Sequence, residues 1–269
     1  VAVDAARRYG KHFVFASSSS VYGRNTTNPK NEMMWVSPLS PYASSKLAAE
    51  SLVGAFSESY GMGVLAFRFF NVFGPLQPAD HVYAAVIPLF LDAAMAGRPL
   101  TVFGDGLQSR DFTYVDTVCE TITRAIVEKT TCETPVNLAF GQPLTILEVA
   151  DHVSELLGTS VDIQHESPRT GDIRHSDADS SLLYDLFPGT KPTPFLEGLQ
   201  TTIDWLRGYK PRWLSLAAAR RMGILAVGGI AALFVGLDAA VAVKAKSSGP
   251  VLLRQTRAGL NADHFECSK

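Results

Sequence analysis

Two periods alternate along the chain. Short apolar or β-branched runs, bounded by Gly, Pro and Ser, give way to longer stretches in which apolar residues recur every three or four positions. The short runs predict strands over residues 13–16, 64–70, 100–103, 136–139 and 161–164. The longer ones predict helices over 42–60, 83–96, 116–128, 146–157 and 195–206. This alternation, from about 11 to 208, predicts an α/β fold with a largely parallel sheet. Thr145, with Glu148 three residues on, has the spacing of a capping box. Gly97-Arg98-Pro99 reads as a helix stop. Residues 1–10 read as the tail of an amphipathic helix, Val1, Ala5 and Ala6 on one side and Arg7 and Arg8 on the other. A domain rarely opens halfway through a helix, so further sequence upstream of Val1 is expected.

The pattern changes near Trp213. Residues 222–243 form an apolar run with one charge, Asp238. Its length suits a hydrocarbon core of about 30 Å. A buried helix of a soluble domain would keep a polar face, and this run has almost none. Arg220 and Arg221 precede it and Lys244, Lys246 and Arg254 follow it. Basic residues on both flanks suit a re-entrant hairpin whose ends both stay on the cytoplasmic side. A boundary at 210/211 is therefore expected, with a membrane-associated helix after it.

Composition narrows the classes. Of 269 residues, 46% are hydrophobic and 19% charged, which excludes global disorder. Twenty-four basic and 26 acidic residues leave a formal charge of −2, so no basic field is present to hold nucleic acid. The three cysteines, Cys119, Cys132 and Cys267, are odd in number and far apart. They suit neither a disulfide framework nor a metal site, and a reducing compartment fits best.

Candidate chemistry begins at Tyr42-Ala-Ser-Ser-Lys46, after Pro38 and Pro41. Four residues on a helix bring both side chains to one face. A phenol is a poor base at neutral pH unless positive charge favours its ionised form, and an ammonium group and an oxidised nicotinamide both supply such charge. Such a pair can take a proton from a sugar hydroxyl while hydride leaves the same carbon. Alone, the pair also fits a helix start with a snorkelling lysine. The serine run Ser17-Ser18-Ser19-Ser20-Val21-Tyr22-Gly23 follows the first predicted strand, and the carboxyl end of a parallel strand is where open α/β sheets place ligands.

These stretches resemble the extended short-chain dehydrogenase/reductases, in their NAD-dependent nucleotide-sugar epimerase/dehydratase branch. The resemblance continues in order through Arg68-Phe-Phe-Asn-Val-Phe-Gly-Pro75, Ala85-Val-Ile-Pro88, Val102-Phe-Gly-Asp-Gly106, Ser109-Arg-Asp-Phe-Thr-Tyr-Val-Asp116 and Arg169-Thr-Gly-Asp172. It implies a Rossmann-like domain with a small substrate lobe, NAD as cofactor, a UDP-sugar as substrate and a homodimer. It also implies a catalytic set of Ser18, Tyr42 and Lys46, with Tyr42, Lys46 and Phe70 beside the cofactor. Asn71, Arg110 and Arg169 match residues that hold the substrate diphosphate. Asp172 matches a carboxylate near the uridine ribose, and Val102 and Phe103 match the strand that lines the uracil.

Within that branch, dehydratases carry Asp-Glu immediately before Val-Tyr-Gly, as acid and base for loss of water. Here those places hold Ser19 and Ser20, which cannot do that work. The resemblance therefore points to a UDP-hexose 4-epimerase acting through a 4-keto intermediate. Ser176 falls at the family's size gate beside the second sugar carbon, and a small residue there suits an N-acetyl group. The serine-rich strand end also looks like UDP-glucuronate 4-epimerases, and UDP-glucose stays open as a third substrate.

The family's Gly-rich dinucleotide fingerprint is not in this sequence. The resemblance is thus to an incomplete domain over residues 1–210, expected by itself neither to bind NAD tightly nor to turn over. Ser248-Gly-Pro-Val-Leu-Leu-Arg-Gln-Thr-Arg-Ala-Gly-Leu-Asn261 resembles a second family, the bacterial undecaprenyl-phosphate phosphoglycosyl transferases. That likeness implies a place on the cytoplasmic face of the bacterial inner membrane and a role in cell-surface polysaccharide synthesis. The alternative is a membrane-anchored transferase whose epimerase-like domain only binds nucleotide sugar.

Overall fold

The computed structural model describes residues 1–77, 79, 85–168, 173–208, 254–258 and 264–268. The elements begin with α1 (Ala2–Arg8), β1 (Phe13–Ser18) and a 3₁₀ turn at Ser19–Tyr22. Next come α2 (Pro41–Tyr60), β2 (Val64–Phe69), β3 (Asn71–Phe73), α3 (Val86–Met95) and β4 (Leu100–Phe103). They continue with β5 (Ser109–Tyr114), α4 (Val115–Glu128), β6 (Val136–Leu138), β7 (Pro143–Thr145) and α5 (Ile146–Leu157). After β8 (Ile163–Glu166) come β9 (His175–Ser176), α6 (Ser181–Leu186) and α7 (Phe195–Gly208). A last pair, β10 (Arg254–Ala258) and β11 (His264–Ser268), forms an antiparallel ladder. The chain divides into two units, Val1–Gly208 and Tyr209–Lys269.

Within the first unit, β1, β2 and β6 form a parallel sheet with β2 central. Such strands read as continuous apolar runs when both faces are covered. That fits β2, whose Leu65 and Phe67 are wholly buried. Ser17 and Ser18 extend β1 beyond the expected end, because they pair with Arg68 and Phe69 in the β1·β2 register.

Around β5 lies a second, four-stranded arrangement. β3 and β9 pair with it in parallel and β7 pairs antiparallel, while β4 and β8 form a separate parallel pair. The expected α/β architecture with a parallel sheet is present. The sequence pattern gave no signal for β3, β5, β7, β9 or α6. All five span six residues or fewer, too short to establish a period. Their pairing is set by tertiary contacts.

Three helices pack beneath this lobe. Leu91 on α3, Val149 and Val153 on α5, and Leu199 and Ile203 on α7 bury almost completely with Leu100 and Val102 of β4. Each such side chain contributes about 1.5–3 kcal/mol of transfer free energy. Thr145 accepts from the Glu148 amide at 3.1 Å, and the Glu148 carboxylate accepts from the Thr145 amide at 2.7 Å. The capping box is therefore formed.

Among the described residues no helix is long and apolar enough to cross a membrane. The apolar run 222–243 lies outside the described residues, so the expected membrane helix has no structural account here.

Candidate active site

Ser18 ends β1 in an extended conformation and caps the 3₁₀ turn. Its Oγ accepts from the Ser20 amide at 3.2 Å and from Ser20 Oγ at 2.9 Å. The turn closes at Gly23, where φ is +50° and a Cβ would lie 1.8 Å from the Ser37 carbonyl oxygen. Only glycine permits that approach, which brings the loop before α2 back over the strand end.

α2 starts with Ser40 as N-cap, its hydroxyl accepting from the Ala43 amide at 3.1 Å, and with Pro41 in the first turn. Tyr42 follows at once and is 57% exposed, open to a ligand. Lys46, one turn on, donates from Nζ to the Ala16 carbonyl at 2.9 Å. The same Nζ stands 5.6 Å from the Tyr42 ring centroid and 5.5 Å from that of Phe15. Lys46 thus ties the start of α2, with Tyr42 beside it, to the carboxyl end of β1, two residues before Ser18.

The register carries the site further. Ser18 pairs with Phe69, so Phe70 and Asn71 lie just beyond the strand ends. Phe70 is buried against Tyr22 and Val21. Asn71 Nδ2 donates to the Asp111 carbonyl at 3.1 Å. Asn71 also opens a cavity of about 250 Å³ whose wall includes Thr101, Phe103, Gln108, Arg110 and Phe112. Arg110 donates from a terminal nitrogen to the Ser109 carbonyl at 2.7 Å. Ser176 is buried and pairs with Arg110 in the β5·β9 register.

The structure thus brings Asn71, Phe103 and Arg110 to one cavity, with Ser176 on the strand beside it. Val102 does not line that cavity. It is wholly buried in the core, because successive residues of a strand face opposite sides. Thr101 and Phe103 share the cavity face of β4, and Leu100 and Val102 the core face. Thr101, Gln108 and Phe112 were missed. Gln108, whose Nε2 donates to the Phe103 carbonyl at 2.9 Å, carried no sequence signal. Arg169 and Asp172 lie outside the described residues.

Asp111 anchors this wall. Its side chain is wholly buried, and Oδ2 accepts from the Gly141 and Ala178 amides at 2.8 and 3.3 Å. Burial pushes its carboxyl above the usual aspartate range, and the backbone hydrogen bonds only partly offset this. Among the described residues no cluster of ligating side chains could hold a metal ion.

The residues present fit one end of a nicotinamide cofactor. An exposed phenol and an ammonium group stand one turn apart, and the ammonium group is fastened to β1 two residues before Ser18. No Gly-rich turn for the cofactor's diphosphate occurs in the sequence.

A family model described as "NAD dependent epimerase/dehydratase family" matches residues 1–139. A Bacillus subtilis protein named as an uncharacterized UDP-glucose epimerase is 32% identical over 205 residues, 76% of this chain and 63% of that protein. A UDP-glucose 4-epimerase of Mycolicibacterium smegmatis is 31% identical over 206 residues, 76% of this chain and 65% of that protein. The chain therefore spans about two thirds or slightly less of these relatives' length. Among solved structures, a UDP-N-acetylglucosamine 4-epimerase of Methanobrevibacter ruminantium, in complex with UDP-N-acetylmuramic acid, superposes with a TM-score of 0.73 at 36% identity. That match covers 76% of this chain and 66% of the other.

Proposed function

The chain belongs to the NAD dependent epimerase/dehydratase family, and from that premise we propose that it carries the catalytic and sugar-binding part of an NAD-dependent UDP-hexose 4-epimerase. The observation that carries this reading is the Tyr42–Lys46 pair, one turn apart on α2, with Lys46 fastened to Ala16 beside Ser18. Tyr42 takes the proton of the sugar 4-hydroxyl and returns it at the end of the cycle. Ser18 holds the same oxygen through its hydroxyl. Lys46 supplies positive charge at that point and a donor for ribose hydroxyls. Tyr42, Lys46 and Phe70 would hold a nicotinamide there, which would supply the reversible uptake of hydride from the sugar carbon. Asn71 and Arg110 hold the diphosphate, and Arg169 and Asp172 complete the nucleotide side. Thr101 and Phe103 present a face to the base.

Epimerisation rather than dehydration is favoured by Ser19 and Ser20, neither of which is an acid. Ser176, small and paired with Arg110, favours a sugar with a bulky second-carbon substituent, so UDP-N-acetylglucosamine stands before UDP-glucose and UDP-glucuronate. We also propose a homodimer, and a C-terminal part that sits on the cytoplasmic face of the bacterial inner membrane as the start of a phosphoglycosyl transferase. The support for that part is the basic-flanked apolar run 222–243 and the Gly249-Pro-Val…Arg254-Gln stretch after it.

The test is 4-epimerisation of the three UDP-sugars with NAD, on this chain and on one extended upstream, beside Tyr42→Phe. Turnover abolished by the substitution is expected. Absence of turnover on all three despite bound NAD overturns the assignment and leaves a nucleotide-sugar binding domain.

A further inference from the structure

Two turns beyond Tyr42, α2 buries a carboxylate. Glu50 is 6% exposed, and Arg68 donates to it through two nitrogens, at 3.0 Å to Oε1 and 2.8 Å to Oε2. Ser17 Oγ donates to the same Oε1 at 2.5 Å. Ser17 and Arg68 are partners across β1 and β2, so Glu50 engages both strands at one level, immediately before Ser18. The arginine reaches on: a terminal nitrogen donates to the Glu32 carbonyl at 3.3 Å, and its guanidinium lies 4.9 Å from the Tyr22 ring centroid. Tyr22 ends the turn that Ser18 caps, and its hydroxyl donates to Asn137 on β6 at 2.8 Å.

A buried ion pair is weak support for stability, since apolar replacements often serve as well. A bidentate arginine–carboxylate pair does fix geometry. Its place in the fold shows which geometry it fixes here. Tyr42, Lys46 and Glu50 follow at four-residue intervals on one face of α2. Ala16, Ser17 and Ser18 follow in succession on β1. Lys46 takes the Ala16 carbonyl and Glu50 takes the Ser17 hydroxyl. Helix and strand are fastened twice, at the two residues that precede Ser18.

We propose that Glu50 is a positioning residue: its buried contacts with Ser17 and Arg68 set where α2 sits on β1 and β2, and so hold Tyr42 and Lys46 in place against Ser18. The role in turnover rests on the reading of those three residues under Proposed function. The fastening itself does not.

The test compares Glu50→Gln, Ser17→Ala and Ser17→Thr with the unaltered protein. Ser17→Ala removes one hydrogen bond and so keeps the question answerable where Glu50→Gln fails to fold. Amide hydrogen exchange, which needs no substrate, is expected to quicken about tenfold or more over residues 16–20 and 42–46 in Ser17→Ala, with α5 unchanged. In turnover of a UDP-sugar, kcat is expected to fall roughly ten- to a hundredfold with KM unchanged. Ser17→Thr, which keeps the hydroxyl, restores both. Exchange that is unaltered, or that rises equally across the first unit, overturns the proposal, as does an unchanged kcat. Turnover is read on the chain extended upstream; if that chain turns over none of the three UDP-sugars despite bound NAD, the epimerase reading fails, and exchange alone decides the positioning role.

Discussion

Lys46 donates a 2.9 Å hydrogen bond to the Ala16 carbonyl, two residues before Ser18. The lysine that completes the tyrosine pair is therefore also a fastener between helix and strand. Tyr42 has no such duty: it is 57% exposed and contributes little to packing. Tyr42→Phe is expected to leave the melting temperature unchanged and to lower epimerisation by about 10²–10⁴-fold. Lys46→Met is expected to lose activity and, in addition, some thermal stability. Chromatographic separation of the product epimers and a melting curve check both.

Arg110 and Val102 are expected to separate cleanly. Arg110 lines the cavity, and hydrogen bonds to a charged partner are worth about 1.5–3 kcal/mol. Arg110→Ala should thus weaken UDP binding by roughly ten- to a hundredfold without loss of stability. Val102 is wholly buried in the core. Val102→Ala should cost roughly 1–3 kcal/mol of stability while UDP affinity stays. Titration calorimetry and denaturant unfolding distinguish the two.

Asp111 gives a pH signature. Its carboxyl is raised by burial above the usual aspartate range. Such a group contributes stability that is fully present below its unfolded value, about 3.9, and is lost as pH rises through the folded value. Asn stays neutral throughout. The melting temperature of the unaltered protein minus that of Asp111→Asn should therefore fall as pH rises from about 4 to 8. A difference that stays flat or increases contradicts this assignment.

Thr145→Ala removes the N-cap of α5 and should cost about 1 kcal/mol by denaturant unfolding. The Glu148 carboxyl is held below its usual range first by the Thr145 amide and then by the Thr145 hydroxyl. Its contribution is present above the ordinary glutamate range and is lost as pH falls. The cost of Thr145→Ala should accordingly shrink in acid.

Much of this protein was legible in the chain. The strand–helix alternation gave β1, β2, β4 and β6 and the helices α2 to α5 and α7, because each carries its period over enough residues to show it. Thr145 with Glu148, and Tyr42 with Lys46, were legible because a helix fixes which residues three and four apart become neighbours. Asn71, Phe103 and Arg110 were legible as motif positions. Tertiary structure alone decided that they meet at one cavity, since β3 and β5 pair with each other while β4 belongs to a separate pair, and neither pairing has a local signal. It decided that Val102 faces the core and Thr101 the cavity, because burial selects between the two faces of a strand. It also decided the contact of Glu50 with Ser17 and Arg68, which joins residues distant in sequence through a β1·β2 register that no local pattern encodes.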